Sequence, residues 1–104
     1  MEAMLVITNL PDREQARSLA RKLVDSRLAA CVNILAECES VYVWEGKVET
    51  SLEVPLLIKT LGRHYPKVEA MILQNHPYEL PEVIAVSLSN GLPEYMRWIA
   101  SETL

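Results

Sequence analysis

Apolar residues crowd the opening segment Met4-Leu5-Val6-Ile7-Thr8, a pattern that predicts a short strand buried on both faces. The period then changes. Ala16, Leu19, Ala20, Leu23 and Val24 recur at helical spacing while Arg13, Arg17, Arg21 and Asp25 fall on the opposite side. Asp12 followed by Gln15 matches a capping box, so the helix is expected to start at Arg13 and to end near Ser26 to Leu28.

From Ala30 to Trp44 β-branched and aromatic residues accumulate, Glu45-Gly46 interrupts them, and alternation resumes from Lys47 to Thr60. That reads as one long hairpin. A two-residue turn between Trp44 and Lys47 pairs Val43 with Val48 and Val41 with Thr50 on one face, leaving Tyr42, Trp44, Lys47 and Glu49 on the other. The same register continued to Ile34 would set it opposite Leu57, with Val32 and Ile34 against the face that carries Val54, Leu56 and Ile58. A bulge within Ala36 to Ser40 repairs the mismatch by shifting the register one residue. Pro55, which cannot donate to a ladder, is expected to mark the bend on the opposing strand.

A second helix is expected from about Tyr65 to Asn75, stopped by Pro77, which biases His76 away from the α region. With Pro81 close behind, His76 to Pro81 reads as a stiff loop. Val83 to Val86 forms another doubly buried strand, and Leu92-Pro93-Glu94 opens a terminal helix around Tyr95 to Ala100. The order strand, helix, strand, strand, helix, strand, helix is that of an α+β, ferredoxin-like βαββαβ domain with a long hairpin between its second and third strands and an added C-terminal helix. Helices on one side of such a sheet leave its second apolar face bare, so a stable homo-oligomer that buries this face is expected, with subunit interfaces as the place for a site.

The chain has 104 residues, 50% of them hydrophobic and 23% charged, which suits a single globular domain over 1–104. Lys plus Arg is 10 against 14 Asp plus Glu, a formal charge of −4, so no general basic field draws nucleic acid or anionic membranes. No apolar run approaches the roughly 18 to 20 residues that cross a bilayer, and Met1-Glu2-Ala3-Met4 lacks a basic leader, so a cytoplasmic location is expected. Cys31 and Cys38 lie about 20 Å apart if the segment between them is extended, too far for a disulfide.

Candidate chemistry concentrates in Asn75-His76-Pro77-Tyr78-Glu79-Leu80-Pro81-Glu82. It reads either as a metal or anion site using His76 with Glu79 or Glu82, or as a structural loop whose His and Tyr satisfy backbone groups. Cys31 reads as a small buried hydrophobe or a soft-metal ligand, and Cys38 as a more exposed thiol. Trp44 and Lys47 at the hairpin tip form either a docking tip for a neighbouring subunit or an ordinary turn with a solvated lysine. Lys59 supplies charge to a pocket or simply reaches water, and His64 is expected at the surface at a helix start. No phosphate loop, nucleophile elbow or dinucleotide fingerprint is present, so no enzymatic activity is expected.

Five segments together resemble the CutA divalent-cation-tolerance family: Leu10-Pro11-Asp12, Leu28-Ala29-Ala30-Cys31-Val32-Asn33-Ile34, Tyr42-Val43-Trp44-Glu45-Gly46-Lys47, Leu57-Ile58-Lys59-Thr60 and His76-Pro77-Tyr78-Glu79-Leu80-Pro81. The resemblance implies a tight homotrimer of ferredoxin-like subunits, similar in architecture to PII signalling proteins, involved in tolerance of copper and other divalent cations. It implies copper or another divalent cation as a ligand, with His76 the metal-ligand candidate. Where some members carry a Cys this chain has Thr8, and where they carry a second His it has Asn75. Asn33, Trp44, Lys59, Tyr78 and Glu79 match the family pattern as inter-subunit cleft residues. A PII-like trimer binding a small anion through Lys59 and Tyr78, and a purely structural trimer, are the alternative expectations.

Overall fold

The computed structural model describes residues 2–104. Strand β1 (Ala3–Leu10) leads into helix α1 (Arg13–Asp25). The Asp12 carboxylate accepts from the Gln15 backbone N–H at 2.8 Å and from the Gln15 side chain at 2.8 Å, so the expected capping box is formed. Ala16, Leu19, Ala20 and Leu23 make the buried stripe of α1, whereas Val24 lies off it and is exposed. Strands β2 (Cys31–Ile34), β3 (Cys38–Trp44) and β4 (Lys47–Leu61) follow, then a 3₁₀ turn at Gly62–His64, α2 (Tyr65–Asn75), β5 (Ile84–Ser87) and α3 (Pro93–Ser101).

The result is a mixed α+β fold around an antiparallel sheet ordered β2-β4-β1-β5, with β3 pairing only with the outer half of β4. The hairpin register is the one the turn dictates, with Trp44 opposite Lys47, Val43 opposite Val48 and Val41 opposite Thr50. Glu45 and Gly46 both take positive φ, 50° and 80°, as a two-residue turn matched to strand twist requires. A methyl group at Gly46 would meet no atom within 4 Å, so Gly46→Ala tests backbone conformation alone. It is expected to lower stability by about 1 to 2 kcal/mol in urea titration, the cost of holding an L-residue in the left-handed region.

The second strand is broken, as the face mismatch demands. Ile34 stands opposite Leu56, one register step from the Cys38–Glu53 pair of the outer hairpin, so Leu35 to Glu37 bulge against Val54 and Pro55. The Leu35 N–H donates to the Pro55 carbonyl at 3.0 Å. A strand residue's N and O point to the same side, so the N–H that Pro55 lacks would point into this bulge and not toward β1.

Val6, Leu10, Val54, Leu56 and Ile58 bury one sheet face under α1 and α2 together with Leu19, Leu23, Val68 and Ile72. Helix α3 caps one end of the other face, where Ile99 packs on Ala3 and Leu61. The rest of that second face is uncovered in a single chain. The expectation that Val83 to Val86 is buried on both faces is therefore corrected, because Ile84 is 51% and Val86 49% exposed. The hairpin arm also stands out from the body, with Val43 69% and Val48 75% exposed and an overall extent of 44 × 26 × 24 Å. Among the described residues no helix is long and apolar enough to cross a membrane.

Candidate functional site: an acidic, aromatic cleft beside the hairpin arm

After Asn75 the two prolines keep the chain out of helix, and His76 pins the resulting loop to the end of β1. Its Nδ1 accepts the Tyr78 backbone N–H at 3.2 Å. A nitrogen that accepts carries no proton, so Nε2 is the protonated one and donates to the Asn9 carbonyl at 2.6 Å. The imidazole also packs on the Tyr78 ring at 4.6 Å. Glu82 completes the clasp on Asn9, accepting from its Nδ2 at 2.9 Å.

This geometry bears directly on the metal expectation. Both His76 nitrogens have partners, Glu82 is tied to Asn9, and among the described residues no group of three or more His, Cys, Asp and Glu side chains converges as a metal site. Thr8 turns its buried hydroxyl into the helix-covered core without a partner. One chain's residues do not fit a preformed copper centre.

What the loop does build is one wall of a cleft of about 760 Å³. The opposite wall is the arm face that carries Tyr42, Trp44, Glu49 and Glu53, and Tyr78, Glu79 and Glu82 face it from the loop. Among the described residues no lysine, arginine or histidine lines the cleft. Glu53, only 8% exposed, lines the cleft together with Tyr78. Burial first, then the Glu53 carboxylate, push the Tyr78 phenol up to about 12. Burial and then the charge of Glu53 also raise the Glu82 carboxyl above the ordinary carboxylate range.

Of the residues singled out from sequence, Trp44, Tyr78 and Glu79 meet in this cleft. Asn33 and Lys59 do not. They lie on the uncovered sheet face, where Lys59 donates to the Tyr95 hydroxyl at 3.3 Å and sits 5.6 Å from the centre of that ring. Lys59 is separated from Glu53 by about 20 Å of strand, so the expected pairing of Lys59 with Tyr78 around one anion is not formed within a chain. Lys47 faces Trp44 as its strand partner, and the cation over a ring is Lys59 instead. Cys31 and Cys38 are free and half-buried. Glu53 escaped the sequence reading although the hairpin register alone, carried to its pairing with Cys38, puts it on the Trp44 face.

His64 corrects a further expectation. It is buried rather than on the surface, with Nε2 unpartnered. Burial, then the positive charge of Arg63, lowers its pKa below the usual 6.5, while a hydrogen bond with the Leu104 main chain opposes the shift. The folded form resists a proton that the unfolded chain accepts, so this contribution to stability is complete above about pH 6.5 and is lost as pH falls through the lower folded value. Urea midpoints measured between pH 7.5 and 5 are expected to fall with pH, and less steeply in His64→Gln.

Residues 4–102 match the family described as CutA1 divalent ion tolerance protein. The chain belongs to that family. The divalent-cation tolerance protein CutA of Thermus thermophilus is 41% identical over 103 residues, covering 99% of both chains. The crystal structure of CutA from Xylella fastidiosa superposes with a TM-score of 0.94 at 45% identity, covering 98% of each chain. That of CutA1 from Oryza sativa gives a TM-score of 0.96 at 38% identity, over 100% of this chain and 95% of the other. The chain spans about half the length of some relatives: it matches 56% of the chloroplastic protein CutA of Arabidopsis thaliana, at 40% identity. The family's names carry different compartments, since the relative from Archaeoglobus fulgidus, 31% identical with a TM-score of 0.93, is called periplasmic.

Proposed function

We propose that this CutA family member works as a non-enzymatic, cytosolic homotrimer in the response to divalent cations, with clefts completed by self-association as its working sites. The uncovered sheet face carries the reading. Leu5, Ile7, Leu57, Ile84 and Val86 form an apolar surface on the side where the hairpin cleft opens, and a soluble chain normally covers such a surface. The strand order β2-β4-β1-β5 suits a ferredoxin-like subunit, and a PII-like trimer is an assembly that closes this face. Two free cysteines fit a reducing compartment.

In this reading copper, or another divalent cation, is an exchangeable ligand. His76 can offer Nδ1 to a metal only by releasing the Tyr78 amide, so binding is coupled to movement of the loop. Titration calorimetry with copper and zinc on the assembled protein, beside His76→Ala, tests it. Saturable heat that weakens in the variant is expected. Equal, negligible heats for both proteins would remove metal binding from the proposal.

A further inference from the structure

We propose that Asn90-Gly91, in the loop between β5 and α3, is a self-modification site, at which the Gly91 main-chain nitrogen converts the Asn90 amide into aspartyl and isoaspartyl forms and thereby loosens α3. The chain has four asparagines, and three are protected. Asn9 donates to Glu82, Asn75 is held by Lys22 and by the Met71 carbonyl, and Asn33 lies within β2. Each of them is followed by a residue with a bulky side chain, Leu10, His76 or Ile34. Asn90 instead precedes a glycine, whose missing Cβ leaves its nitrogen unobstructed. Both residues are exposed, and among the described residues neither the Asn90 side chain nor the Gly91 N–H has a hydrogen-bond partner.

Two anchors frame the loop. The Leu88 N–H donates to the Ala3 carbonyl at 3.0 Å, and the Met96 N–H closes the first turn of α3 on the Leu92 carbonyl at 3.0 Å. Between them Gly91 packs so closely on α3 that a Cβ would stand 2.6 Å from the Met96 Sδ and 2.9 Å from its Cγ, which selects glycine here and with it the reactive pair. In the reaction the Gly91 nitrogen, having lost its proton to hydroxide, bonds to Asn90 Cγ. The Cγ–Nδ2 bond breaks, and ammonia leaves with a proton from water. Water then opens the five-membered imide at either carbonyl. Opening at Cγ leaves aspartate, whereas opening at the main-chain carbonyl leaves isoaspartate, whose backbone runs through Cβ and Cγ and is one atom longer. A close-packed loop seated on Met96 has no slack for that atom, so the start of α3 shifts, and with it Tyr95, to which Lys59 donates at 3.3 Å.

The assembled protein, held at mildly alkaline pH and sampled over days, tests this. Peptide mapping by mass spectrometry is expected to show conversion at Asn90 about tenfold or more faster than at Asn9, Asn33 or Asn75. Carboxyl methylation by an S-adenosylmethionine-dependent isoaspartyl methyltransferase should label the aged parent well above aged Asn90→Ser, which has no amide to lose. Hydrogen exchange of the α3 amides is expected to quicken as the parent ages and to stay unchanged in Asn90→Ser. Conversion at Asn90 no faster than at the other three, which is also the result if a neighbouring copy shields the loop, overturns the modification, as does equal labelling of parent and variant. Exchange in α3 that ageing of the parent leaves unaltered overturns the coupling to α3.

Discussion

Lysines introduced together at Ile84 and Val86 are expected to leave the chain monomeric. Both positions lie on β5 opposite Ile7 and Leu5, on the sheet face that α1 and α2 do not cover, and each is about half exposed in a single chain. A lone subunit therefore tolerates the replacement, since a long cation can lie along the sheet and keep its ammonium in water. An assembly that buries this face does not. It would lose the transfer energy of two aliphatic side chains and would have to desolvate two unpaired ammonium groups, each at several kcal/mol. Sedimentation velocity at micromolar concentration checks this, with circular dichroism to show that the fold is kept. The parent should run as a multiple of the 104-residue chain and the variant as one copy. A parent that already sediments as a single copy would sink the trimer proposal.

Leu56→Ala is the second large effect expected. Leu56 is fully buried in the central strand, between Thr8 of β1 and Ile34 of β2, and belongs to the core under α1 and α2. Three strands and two helices fix the space around it, so the surroundings collapse little into the gap, and the loss should be about 2 to 5 kcal/mol. Urea titration at one fixed protein concentration measures it, because self-association makes apparent stability depend on concentration. A change under about 1 kcal/mol would mean that the core relaxes far more than close packing allows.

The hairpin was legible because its turn is legible. Once Glu45-Gly46 is a two-residue turn every cross-strand pair follows, and the conflict of Ile34 with the core face then requires the bulge opposite Pro55. Helices α1 and α2 were legible from their caps and stops. What resisted were questions of which side and which end. Apolar runs in β1 and β5 suggested burial on both faces, yet a subunit supplies only part of the second cover, through α3 on Ala3 and Leu61. His64 looked like a surface residue because nothing local shows that the 3₁₀ turn tucks it inward beside the Leu104 main chain.

The site was half legible for the same reason. Family resemblance marked Trp44, Tyr78 and Glu79, which do meet, but it could not separate them from Asn33 and Lys59 farther along the sheet. It also marked His76 without showing that its two nitrogens are spent on Asn9 and Tyr78. Hydrogen bonds to main-chain atoms leave no trace in side-chain identity, so a sequence motif describes a ligand and a loop anchor alike.

Pro55 adds a constraint on how the chain reaches this state. A strand as long as β4 offers its partners many offsets, and offsets that keep alternate residues aligned also keep apolar side chains on one face. A residue that cannot donate makes an offset costlier whenever the sliding strand would present a carbonyl to it. The native alignment avoids that loss by aiming the ring nitrogen at the bulge. Proline thus works as a stop against slippage, steering the arm away from mispaired traps during folding as well as shaping it afterwards.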